Sequence, residues 1–273
     1  MKTKLLTLVI CVITLFSVDL AYAYYPVSPY AYTLNNPVRF IDPNGMEIAE
    51  LSLKDWEREK ATIQRTVDRM QNRMDKLVAK GGNESRIANL GERISSINGT
   101  LSTMGTLEGS TQMYALASIG AGELGGLSYN HGTGVVTISY GSTSNFVHEV
   151  THGGQFELGD VAFTLDGKTM GQDVYDEVAA YKAQYAYDPT SVSGLLSSSS
   201  VRYSADITPG WVQGIMYNGQ NIYTPVGNAR TGLHPVNINS TKADLMRAYP
   251  NASFSGFSNT IPFKNMYPMH YKR

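Results

Sequence analysis

Residues 135–154 read Val135-Val-Thr-Ile-Ser-Tyr-Gly-Ser-Thr-Ser-Asn-Phe-Val-His-Glu-Val-Thr-His-Gly-Gly154. The first six residues are rich in β-branched and aromatic types and predict a strand ending at Tyr140. Ser142, Thr143 and Ser144 then offer helix caps, and Phe146 and Val150 supply an apolar face for a helix over about 144–156. Gly153-Gly154 is read as its stop. Inside that helix His148 and His152 stand four positions apart, which means about 6 Å of rise and about 400° of rotation. Both imidazoles therefore leave one face, a turn apart. That spacing suits two nitrogen ligands of a single tetrahedral zinc ion, Zn²⁺. Glu149 lies beside them, placed to take a proton from water that such a metal acidifies.

Working outward, Gly125–Asn130 and Val135–Tyr140, joined by His131-Gly-Thr-Gly134, predict a β-hairpin ahead of the motif. Downstream, a helical pattern over about 174–187 carries Tyr175-Asp-Glu-Val-Ala-Ala-Tyr181. A catalytic zinc takes three protein ligands and keeps one position open, so a third donor is required. Glu177 follows His152 at a distance that leaves room for a loop and a returning helix. Asp160, Asp173 and Asp176 offer the same oxygen chemistry. His131, in a turn, and His270, close to the end of the sequence, are read as solvated.

Asn145-Phe-Val-His-Glu-Val-Thr-His-Gly-Gly-Gln155 followed by Asp176-Glu-Val-Ala-Ala-Tyr181 resembles the gluzincin peptidases, in particular the metallopeptidase toxin domains found behind Rhs cores. The resemblance covers roughly residues 125–187. It implies a zincin-like fold with zinc held by His148, His152 and Glu177, and Glu149 as general base and then proton donor. It further implies that Val135–Tyr140 is an edge strand that takes the substrate backbone as an added strand. A donor for the developing oxyanion is also expected. Tyr181, Tyr185, Tyr203, Tyr217 and His234 are its candidates.

Residues 50–107 show a different pattern. Trp56, Ile63, Val67, Met70, Met74 and Leu77, then Ile87, Leu90, Ile94, Ile97, Leu101 and Met104, recur at three-, four- and seven-residue spacing. Between the two runs, Lys80-Gly81-Gly82-Asn83 holds glycines suited to a helix end and an asparagine suited to cap the next helix. An antiparallel helical hairpin with an apolar seam is expected. After Pro189 periodicity fades, apart from a short helix near Ser240–Tyr249.

The N-terminal residues set the compartment. Lys2 and Lys4, an apolar run from Leu5 to Phe16, and Ala21-Tyr-Ala23 form the pattern of a secretory signal peptide cut after Ala23. The apolar run spans about 12 residues against the roughly 20 needed to cross a bilayer, so no membrane anchor is expected. Cys11 is the one cysteine and falls inside that signal, which leaves an exported chain that relies on its core rather than on disulfides. Removing Lys2, Lys4 and Asp19 leaves a net charge of about −2, and nothing in the sequence suggests a nucleic-acid surface or a polybasic membrane patch.

Between the signal and the hairpin, Tyr30-Ala-Tyr-Thr-Leu-Asn-Asn-Pro-Val-Arg-Phe-Ile-Asp-Pro-Asn-Gly45 resembles the end of the Rhs/YD-repeat core, the stretch that separates a repeat shell from a variable toxin. The repeats are absent here, and Met46 stands where those proteins carry Leu. The resemblance implies an effector module after Gly45.

The expected organisation is thus a signal peptide (1–23), an Rhs-core-like remnant or linker (24–47), a helical hairpin (48–110) and an α+β, zincin-like metallopeptidase domain (111–273). The expected function is that of a secreted or periplasmic zinc metalloendopeptidase of toxin or effector type. Its partners would be a protein or peptide substrate and, for a toxin, an immunity protein. The alternatives are a catalytically silent secreted binding protein on a zincin fold and a secreted peptidase without toxin activity.

Overall fold

The structure is a computed structural model and describes residues 48–120, 123–197, 199–223, 236–248, 258–266 and 269–272, all within one unit, Gly45–Arg273. The expected signal peptide and linker lie outside the described residues.

Helix α1 (Glu50–Ala79) and helix α2 (Glu84–Glu108) follow the two apolar runs. The chain reverses at Gly81, whose φ of 61° is open to glycine at no steric cost, and Asn83 Oδ1 accepts the Arg86 N–H at 3.0 Å to start α2. The pair is antiparallel. Trp56, early in α1, donates its indole N–H to Glu108 at the end of α2 at 2.7 Å, and Lys60 Nζ reaches the same carboxylate at 2.6 Å. Trp56, Ile63, Val67, Ile94, Ile97 and Met104 are buried in the seam. They belong to the same apolar cluster as Tyr114, Val136, Ile138, Phe146, Val150 and Phe156, so the hairpin shares one core with the strands and helix that come after it in the chain.

Strands β1 (Met113–Ser118), β2 (Gly126–Asn130) and β3 (Val135–Tyr140) form a sheet of order β1-β3-β2. The pairing of β2 with β3 is antiparallel, as the hairpin pattern predicts, while β1 pairs with β3 in parallel, Tyr114 opposite Val136. β3 is therefore central, which corrects its expected place at the edge. The reason is β1 itself, a short run without alternation whose partner lies about twenty residues downstream and across a hairpin. The edge strands are β1 and β2.

From β3 the chain passes through Gly141 and Ser142 into α3 (Thr143–Leu158). Gly153-Gly154 does not stop this helix. A Cβ at Gly153 would lie 3.0 Å from Leu107 Cδ1, and one at Gly154 would lie 2.7 Å from Thr103 Cγ2, so the two glycines let α2 press directly on α3. The helix ends at Gly159, left-handed at φ 79°.

Strands β4 (Ala162–Thr164) and β5 (Thr169–Met170) lead to α4 (Val174–Tyr187), which returns along α3. Short elements complete the described chain: α5 (Pro189–Ser193), α6 (Pro209–Gln213), β6 (Met216–Tyr217), β7 (Gln220–Asn221), α7 (Lys242–Ala248), α8 (Phe263–Met266) and β8 (Met269–Tyr271). β8 pairs with β4 to give a second small sheet of order β5-β4-β8. A second apolar cluster joins α4 to this irregular region through Val178, Tyr181, Val192, Ile207 and Trp211. The described residues thus form a mixed helix-and-sheet structure, compatible with the expected α+β class. Among the described residues no helix is long and apolar enough to cross a membrane.

Candidate metal centre

α3 begins where Ser142 Oγ accepts the Asn145 N–H at 3.2 Å, and this cap sets the phase of the helix. His148 and His152 then face α4, each about 5% exposed, with their Nε2 atoms 3.1 Å apart. α4 begins at Asp173, whose side chain accepts from the Tyr175 and Asp176 N–H groups, while Asp176 Oδ2 accepts the Asp173 N–H at 2.8 Å. This reciprocal capping box places Glu177 on the face toward α3. Glu177 Oε2 lies 3.3 Å from His148 Nε2, and Oε1 lies 3.6 Å from His152 Nε2. One ligand atom from each of the three residues lies within 4.8 Å of the others.

The donor set fits a divalent metal. His148 Nδ1 meets Gln184 Oε1 at 3.1 Å, and His152 Nδ1 meets Gln155 Oε1 at 2.7 Å. The Gln155 amide is oriented from its far end, since its Nε2 donates to the Asp176 carbonyl at 3.0 Å. Its oxygen must then face His152. An amide oxygen only accepts, so that Nδ1 carries the proton and Nε2 keeps its lone pair; Gln184 acts on His148 in the same way, with its Nε2 donating to Ser191 Oγ at 3.2 Å. Two lone pairs and a carboxylate thus converge. Glu177 Oε2 is buried with no hydrogen-bond partner, the arrangement expected of an oxygen reserved for a cation. Burial would push the Glu177 carboxyl up, but the contact with His148 and the charge of His152 outweigh it and hold the group below the usual carboxylate range. With no cation present, burial opposes a charge on His152, yet Glu177 more than offsets this and pushes its pKa up to about 9; the proton then sits on Nε2, and a metal ion has to displace it before that lone pair can ligate.

None of the three aspartates that share the oxygen chemistry of Glu177 belongs to this group. Asp173 and Asp176 cap α4, and Asp173 Oδ2 also accepts the Val236 N–H at 2.6 Å. Burial pushes the Asp176 carboxyl up to about 7. Asp160 is not among the grouped ligand atoms.

Glu149 is 4% exposed. Burial pushes its carboxyl up, while His148 and His152 pull it back. Among the expected oxyanion donors, the structure brings Tyr181 to the site, its ring edge-on to His148 at 4.5 Å. The Tyr181 hydroxyl lies 3.0 Å from that of Tyr223. Burial and the nearby Glu177 charge push both hydroxyls up, so both remain protonated donors. Tyr185 instead donates to the Arg202 carbonyl, Tyr203 is 63% exposed, Tyr217 lies on β6, and His234 lies outside the described residues.

Gln155, Gln184, Tyr223 and Gln172 were not legible as site residues. Gln172 Nε2 donates to Glu177 Oε1 at 2.7 Å and lies against the His152 ring. Gln155 and Gln184 lie on α3 and α4, three and seven positions after His152 and Glu177 and so on the same faces, whereas Gln172 and Tyr223 come from loops that no local pattern marks. His270 is half-buried: its ring stacks on Tyr129 at 4.1 Å, and its Nε2 meets Gln112 Oε1 at 3.2 Å. His131 is exposed, with Nε2 on the Thr164 carbonyl at 2.8 Å.

No family model, curated protein or solved structure matches the chain.

Proposed function

We propose that the chain is a zinc-dependent endopeptidase on a zincin-like fold, with His148, His152 and Glu177 as ligands and Glu149 as general base. The observation that carries the reading is the convergence of the His148 and His152 Nε2 atoms, each ring oriented by a glutamine on its Nδ1, on a buried Glu177 oxygen that makes no hydrogen bond. Zinc in that position supplies a Lewis acid that acidifies water and polarises a peptide carbonyl. Glu149 takes the proton of the attacking water and passes it to the leaving amine, and its burial raises its basicity for that task. The paired hydroxyls of Tyr181 and Tyr223 supply donors for the negative charge that develops on the carbonyl oxygen.

The reading extends to a secreted or periplasmic effector, a role that rests on the likeness of residues 30–45 to the end of an Rhs core. Toxicity on expression in the periplasm of a target bacterium, relieved by Glu149→Gln, supports that role. Toxicity that is unaffected by Glu149→Gln removes it.

The direct test is metal content and hydrolysis of labelled casein. Purified protein is expected to hold one zinc per chain, and Glu177→Ala to lose metal and activity together. Unchanged zinc content in His148→Ala would end the metallopeptidase reading.

A further inference from the structure

Glu149 is held from two sides by residues that no ligand or base assignment includes. Asn145 lies one helical turn before it, so the two side chains share a face of α3. Asn145 Oδ1 accepts the Gly141 N–H at 3.0 Å. That bond settles the orientation of the amide, since a backbone N–H must face oxygen, and the NH2 is left to donate to Glu149 Oε1 at 2.9 Å. The carboxylate is thereby referenced to the turn between β3 and α3. On the other side, the backbone at Gly125, just before β2, closes over the same pair. A Cβ built at Gly125 would lie 2.5 Å from Glu149 Oε1, 2.6 Å from Asn145 Oδ1 and 2.7 Å from Asn145 Nδ2. Only a hydrogen fits there.

We propose that Asn145 and Gly125 form a clamp that sets the position of the Glu149 carboxylate, Asn145 by an oriented hydrogen bond and Gly125 by close approach of backbone. Both are positioning residues, and the inference rests on the reading of Glu149 as general base. A neutral amide suits the task because it donates without adding a charge beside the base. The atoms that a Gly125 methyl would meet are the ends of two side chains, not backbone. The strain of Gly125→Ala is therefore relieved by moving the carboxylate and the amide, while strand and helix stay in place. A residue needed only for the fold would behave in the opposite way.

The test uses the full chain, with labelled casein as substrate. Gly125→Ala and Asn145→Ala are expected to keep the parental zinc content and melting temperature. Their kcat should fall about 10- to 100-fold, as for a reacting group displaced by about 1 Å, with KM little changed. The double variant should lose no more than the worse single one, because both act through the same carboxylate. Parental kcat in Gly125→Ala, or additive losses in the double variant, overturns the clamp. A second arm needs no turnover: the Asn145 side-chain amide protons, followed by 15N-edited NMR, should shift in Glu149→Ala. Unmoved resonances overturn the clamp even in an active peptidase. Absence of zinc and hydrolysis in the parent ends the peptidase reading, and the NMR arm still decides whether the carboxylate is held.

Discussion

Two of the helix packings among the described residues, α1 on α2 and α3 on α4, are filled with opposite chemistry. Between α1 and α2 lie Trp56, Ile63, Val67, Ile94, Ile97 and Met104, and each such side chain contributes about 1.5–3 kcal/mol by leaving water. Between α3 and α4 lie His148, His152, Gln155, Glu177 and Gln184, with Glu149 beside them on α3, all buried and all polar. Burying such groups is unfavourable unless each finds a partner. Here almost every one does: Asn145 for Glu149, Gln155 and Gln184 for the imidazoles, Gln172 for one oxygen of Glu177. The apolar pair supplies stability that the polar pair consumes. The shared core is what allows this, since Leu107 and Thr103 of α2 reach α3 at Gly153 and Gly154.

If that division holds, substitutions in the two seams should fail in different measurements. The largest effect is expected from Glu149→Gln, which keeps the shape and can still accept from Asn145. Hydrolysis should drop about 10²–10⁴-fold with zinc content and denaturation midpoint unchanged. Trp56→Ala should do the reverse. It removes a fully buried ring and the indole bond to Glu108, and should lower stability by about 3–5 kcal/mol in urea titrations while the folded fraction keeps its zinc. A loss of zinc at constant stability would break the comparison.

Smaller effects sharpen it. Gln155→Ala and Gln184→Ala release the tautomer of one ligand each, and zinc affinity measured by chelator competition should weaken about 10- to 100-fold. An unchanged affinity would mean that the imidazoles are oriented by packing alone. Asp176→Ala should be the mildest. It opens the capping box at the start of α4 and should cost about 1 kcal/mol, with zinc occupancy retained. If Asp176→Ala strips the metal, the ligand on α4 is not Glu177.

Much of the frame was legible in residue order because it follows from local geometry. The heptad spacing of residues 56–104 requires a hairpin, Asn83 and Ser142 announce helix starts, and a four-residue interval puts His148 and His152 on one face of any helix that forms there.

Only the tertiary structure decided the rest. It made β3 central, by bringing Met113–Ser118 alongside in parallel, and it turned Gly153-Gly154 from an expected stop into a packing surface. It brought Glu177, rather than any of the three aspartates, next to His148 and His152, and it assembled Gln155, Gln172, Gln184, Asn145 and Tyr223 around them. The physical reason is the same in each case. Periodicity and capping report which face of an element is buried, but the partner of a buried polar atom is set by which other element packs on it.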